Sequence, residues 1–164
     1  MLRPRFKRGF TLVETVVYLF ILALISTVVI TLLVNMLQAF YRFRAMERVA
    51  HSAEVALGRF SREVRRAISI NSLGGSTLTL NTTDGSGNPT TITFSTANNV
   101  LMITEGAGAA ATSTDVNVAV SSLIFRNISA MPPAVRMELG LTDGGMLQGR
   151  TFKFYDTAVL RGSY

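Results

Sequence analysis

Residues 10–40 read FTLVETVVYLFILALISTVVITLLVNMLQAF, and Glu14 is the only charge among them. Neither Pro nor Gly interrupts the run. A helix that crosses a bilayer needs about 20 apolar residues, so this run is long enough to span one. A helix that is apolar on every side must be buried in lipid or in protein. Secretory signals have a shorter apolar core closed by a small-residue cleavage site. This run is too long for that, and no such site ends it.

The flanks carry most of the charge. Residues 1–9, MLRPRFKRG, hold Arg3, Arg5, Lys7 and Arg8 and no acid. Bases on that side predict a cytoplasmic N-terminus, with the rest of the chain crossing the membrane once. Arg42, Arg44 and Arg48 follow the run closely and compete with that orientation. The chain has a net charge of +6, which would ordinarily raise nucleic-acid binding. Here the excess comes from residues 1–9 and 42–66, while residues 67–164 have five bases against six acids. Two local clusters beside an apolar run read first as membrane topology, and nucleic acid is not an expected partner.

Beyond residue 44 the apolar positions become periodic. Val49, Ala53, Ala56 with Leu57, Phe60, Val64 and Ala67 with Ile68 recur at steps of three and four, which is one face of a helix. Only Gly58 weakens it, by about 1 kcal/mol against Ala. One continuous helix is predicted from about residue 10 to about residue 68, on the order of 90 Å long. Its second half is amphipathic and must pack on something.

NSLGGS (71–76) breaks the helix. TLTLNT (77–82), TITFST (91–96) and VLMITE alternate in polarity and predict a three-strand meander. DGSGNP (84–89) and an Asn98-Asn99 turn separate them. GAGAAATST (106–114) reads as a loop of small residues. VNVAV (116–120), SLIFRNI (122–128), AVRMELGL (134–141) and RTFKFYDTAVLR (150–161) supply further strands. Met131-Pro132-Pro133 and Asp143-Gly144-Gly145 divide them. The expected class is α+β. It has a leader at 1–9, a membrane or filament-core helix at 10–40, an amphipathic helix half at 41–70 and an antiparallel β head at 71–164. The amphipathic half should cover one face of the sheet.

Lys7-Arg8-Gly9-Phe10-Thr11-Leu12-Val13-Glu14 resembles the prepilin cleavage motif of type IV pilins and type II secretion pseudopilins. The resemblance implies cutting after Gly9 by a prepilin peptidase, and N-methylation of the new terminus, Phe10. It also implies that Glu14 pairs with the N-terminus of a neighbouring subunit during assembly. A carboxylate in an apolar helix costs roughly 2.5–3.5 kcal/mol at mid-membrane, so an acid there needs a reason. The bland reading is that Glu14 reaches the head-group layer. Loss of residues 1–9 would lower the charge to about +2 and remove a cytoplasmic retention signal. The head, from RVAHSAEVALGRFSREVRRAI (48–68) to the terminal TAVLR, resembles J-type minor pseudopilins and minor pilins of DNA-uptake machines. Major pilins often carry a Cys pair or a Pro in the first helix, and this chain has neither. The partners implied are prepilin peptidase, other pilin or pseudopilin subunits, and membrane lipid before assembly.

Competing site readings are weaker. Asp84-Gly85-Ser86-Gly87-Asn88 alternates oxygen ligands as a calcium loop does, but Pro89 stands where such a loop needs Gly and no closing Glu follows. A hairpin turn fits better. Asp115 and Asp143 read as turn residues. The Arg cluster at 59–66 reads as a solvated helix face, with a bridge such as Arg59 to Glu63. Arg42, Arg44 and Arg48 read as the outer membrane–water boundary. His51 reads as a surface residue, and with no Cys and a single His no zinc site is expected. No catalytic set and no cofactor are expected. Besides a structural filament subunit, the sequence leaves open a single-pass membrane-anchored binding module.

Overall fold

The computed structural model describes Gly9 and residues 11–130, 132–144 and 149–161. Residues 1–8 and Phe10 lie outside the described residues, as do Met131, 145–148 and 162–164. The leader and the residue expected to be methylated are among them.

The first element is helix α1, Leu12–Arg66, of 55 residues. It begins two residues later and ends two earlier than the periodicity predicts. The chain divides into two compact units, Met1–Tyr41 and Arg42–Tyr164, and α1 contributes to both.

In the first unit every residue from 11 to 41 is exposed, including Leu12, Phe20, Leu32 and Met36. Exposed apolar surface on every side of a helix calls for lipid or other protein around it. α1 is long and apolar enough to cross a membrane. Its hydroxyls agree with that setting. Thr27 and Thr31 donate to the carbonyls of Ala23 and Thr27, each at 2.9 Å, so neither needs a partner from its surroundings.

The second unit joins the rest of α1 to two antiparallel sheets. The first contains β1 (Ser69–Leu73), β2 (Leu78–Thr83), β3 (Pro89–Ala97), β4 (Val100–Glu105) and β5 (Ala111–Thr112), in that order. The second contains β6 (Val118–Ala130), β7 (Pro133–Asp143) and β8 (Phe152–Val159). The α+β class and the meander of β2, β3 and β4 follow the sequence. Asn98 and Asn99 both have positive φ, 52° and 59°. That is the two-residue hairpin turn that suits the strand twist, and Asn tolerates it.

Three expectations change. The segment read as a break begins inside β1, Ser69–Leu73, which pairs with β2 through a register shift between Ile70 and Ser72; a short, polar, bulged edge strand has no clean alternation to detect. The small-residue loop contains the two-residue β5. Residues 118–120 of VNVAV and all of SLIFRNI are not separate strands but belong to one 13-residue β6, whose register against β7 shifts between Val120 and Ser122. The bulge disturbs the period, so one strand looks like two.

The core lies where helix and sheets meet. Ala45, Val49, Ala53, Ala56, Phe60, Val64 and Ala67 are buried, and Ile68 is half exposed. The alanines let the helix approach closely, and the larger Phe60 fills the centre. Its ring meets Phe94 of β3 edge-on at 6.0 Å and Phe125 of β6 at 6.1 Å, with Phe94 and Phe125 6.4 Å apart. One aromatic triad therefore ties α1 to both sheets. Turn carbonyls of the first sheet also receive β6: Val120 N–H donates to Asn99 at 2.7 Å and Phe125 N–H to Gly75 at 2.9 Å.

Candidate assembly and processing site

Gly9 is exposed and belongs to no helix or strand, so nothing in the described structure shields the Gly9–Phe10 bond on its Gly9 side. Phe10 itself lies outside the described residues. Thr11 then immediately precedes α1. Its hydroxyl accepts the Glu14 N–H at 3.3 Å, and its carbonyl accepts the Thr15 N–H at 3.2 Å. This is N-capping: the side-chain oxygen satisfies one of the amides a helix start leaves unpaired.

The same spacing places Glu14 in the first turn, where the positive end of the helix dipole favours a carboxylate. Glu14 Oε1 accepts the Tyr18 hydroxyl at 3.4 Å, one turn further on. Among the described residues Glu14 forms no ion pair, and it is exposed. The arrangement presents one helix-anchored carboxylate, held by a hydroxyl on its own helix, on an otherwise apolar surface. Such a group can receive a cation from another molecule. The sequence reading missed Tyr18 and the capping role of Thr11. Both were legible, as Thr-x-x-Glu before an apolar run and as a Glu/Tyr pair at i, i+4.

Residues 4–30 match the family model of the prokaryotic N-terminal methylation motif. The chain carries the type IV pilin and pseudopilin signature. No curated protein and no solved structure matches the chain. The methylation motif covers the helix start and most of the apolar run and does not reach the β head. It marks type IV pilin-like chains that prepilin peptidase processes and that assemble with other pilin subunits. With the apolar helix behind it, the motif suggests anchoring in the inner membrane.

The second unit rearranges several other candidates. Asp84 closes the β2–β3 hairpin: its Oδ1 accepts the N–H groups of Ser86 and Asn88, each at 2.8 Å, and its Oδ2 accepts the Asn88 side-chain amide at 3.2 Å. Donation by the Asn88 backbone and side chain holds its pKa below the usual carboxylate value. Both carboxylate oxygens thus accept hydrogen bonds from within the turn. Asp115 likewise accepts the Asn117 N–H, at 2.9 Å. Asp143 differs from expectation. It is buried at the end of β7 and pairs with Arg48, which thus serves the head instead of only marking a boundary. His51 is exposed, as expected.

Arg59 also differs. It bridges to Glu105 of β4 at 3.4 Å instead of to Glu63. A base one turn before its acid is the weaker order on a helix, and Glu63 turns inward. Glu63 is buried, and its Oε2 has no hydrogen-bond partner among the described residues.

Proposed function

We propose that this chain is a structural subunit of a pilin-type filament, made as a precursor, cut after Gly9 and N-methylated on Phe10. The observation that carries this reading is the match of residues 4–30 to the methylation motif, with Glu14 as the single charge at the start of an apolar helix. In the proposed assembly the apolar part of α1 leaves lipid for the company of other such helices. Removing Arg3, Arg5, Lys7 and Arg8 weakens retention at the cytoplasmic face. Cutting also frees an ammonium at Phe10. The Glu14 carboxylate of one subunit receives that group from its neighbour and sets their register, because an unpaired charge in an apolar bundle is costly. The proposed class is a minor pilin or pseudopilin of a type IV pilus, type II secretion or DNA-uptake filament, supported by the diffuse likeness of residues 48–161. No enzymatic activity is proposed.

Gly9→Ala tests processing. The variant should stay at precursor mobility in the membrane fraction, and processed protein at normal abundance contradicts the reading. Glu14→Gln tests assembly. It should insert and be processed but fail to enter sheared filaments. A chain that works in its membrane without cleavage and without Glu14 is instead an anchored binding module.

A further inference from the structure

The last turn of α1, the β2–β3 turn and the end of β4 border a small groove of about 300 Å³. Its charged lining is Glu63 and Arg66 of α1, Asp84 of the turn and Glu105 of β4, three acids against one base. Two of the acids are answered. Both Asp84 oxygens accept hydrogen bonds within the turn, and Glu105 pairs with Arg59 at 3.4 Å. Glu63 is not. It is 7% exposed, its Oε2 has no hydrogen-bond partner, and among the described residues it forms no ion pair. Arg66, three residues on, donates to the Thr83 carbonyl at 3.4 Å instead.

A buried carboxylate without a partner is costly. Packing does not call for one, since an uncharged side chain of similar size would fill the same place. A cation in the groove removes the cost, and the lining indicates its form. Among the described residues no three acidic or histidine side chains stand close enough together to hold a metal ion. The acids therefore border the groove instead of converging on one compact charge. Thr82 and Thr90 bring hydroxyls to the lining, and Ile92 brings an apolar wall. A primary ammonium on a carbon stem meets all three features. Its three N–H groups can turn toward a carboxylate and hydroxyls on different sides, whereas a guanidinium fixes its donors in one plane. Its methylenes can lie on Ile92 as a lysine stem lies on apolar surface.

The geometry points to this groove as a binding site for a primary alkylammonium group, with Glu63 as the counter-ion. The site lies wholly in the second unit and stands whether or not the chain enters a filament.

The test uses the full chain in a nonionic detergent at neutral pH and low salt, titrated with butylammonium chloride and followed by amide NMR. The N–H resonances of Thr82, Asp84 and Glu105 should shift and saturate. Tetramethylammonium, equal in charge but without N–H groups, should bind far more weakly. Glu63→Gln should weaken butylammonium by at least roughly tenfold, as loss of a buried partner charge does. Glu63→Met should do the same without a fall in melting temperature, which separates a lost counter-ion from a lost fold. Arg66→Gln removes the base at the groove and should tighten binding. Glu54→Gln, exposed on α1 and equal in charge change to Glu63→Gln, should bind as the parent does. A blocked Gly-Lys-Gly peptide and putrescine distinguish the two sources of such a group. Tighter binding of the peptide assigns the groove to a protein lysine, tighter binding of putrescine assigns it to a free polyamine, and either supports an ammonium site. Absence of saturable shifts overturns the proposal. So do equal binding of tetramethylammonium and an equal loss in Glu54→Gln, which reduce the effect to bulk charge. Saturation of the same resonances by calcium chloride at a lower concentration than butylammonium requires also overturns it and assigns the groove to a metal ion.

Discussion

The Arg48 guanidinium reaches the Asp143 carboxylate at 3.4 Å across 95 positions of sequence. It links the helix of the second unit to the end of β7. The two ends differ: the Asp143 side chain is 3% exposed and that of Arg48 40%. Removing the arginine therefore strands a buried carboxylate. Arg48→Ala should cost about 1–2 kcal/mol, the lower part of the range for an orphaned buried group, because solvent reaches and screens the arginine. Arg48→Ala with Asp143→Ala should cost less than the sum of the two changes. Denaturant midpoints of the four proteins check this, and strict additivity would show that the contact is energetically idle.

Phe60 is the ring that α1 shares with both sheets. Phe60→Ala removes a fully buried aromatic from between Phe94 and Phe125 and should destabilise the head by about 3–5 kcal/mol. Phe60→Leu should retain much of that. Thermal unfolding followed by circular dichroism measures both. A loss under 1 kcal/mol for the alanine would mean that helix and sheets do not meet there.

Glu63 points the other way. It is a buried acid whose Oε2 has no partner among the described residues, so it is held at a cost. Glu63→Met keeps the size and removes the charge, and should stabilise by on the order of 1 kcal/mol. A drop in melting temperature would indicate that the carboxylate is satisfied in the folded chain.

Asp84 sets an acid limb for the β2–β3 turn. Its folded pKa lies below the ordinary aspartate value because Asn88 donates to the ionised form. The turn's added stability is therefore fully present above about pH 4 and is lost as pH falls through the lower folded value. The Asn88 amide resonances should titrate with Asp84 in an NMR pH series. In Asp84→Asn that transition should vanish. A titration unchanged in the variant would assign it to another carboxylate.

Much of this was legible from residue order because local patterns carried it. The apolar run at residues 10–40 had no other stable environment, the three- and four-residue steps from Val49 to Ala67 marked the packing face, and Asp84 and Asn98-Asn99 declared their turns. Thr11 and Tyr18 were equally local and went unread. β1 and the single long β6 were hidden because bulges break the two-residue period.

The sequence by itself determined the long apolar helix with Glu14 near its start and the α+β class, since each rests on neighbours within a turn or two. Tertiary structure decided what long-range packing alone can decide. It set two sheets instead of one, paired Arg48 with Asp143 and Arg59 with Glu105, buried Glu63, and brought Arg161 beside Arg62 and Arg65. Charge partners far apart in the chain are chosen by where strands end, and no periodicity along the sequence records that choice.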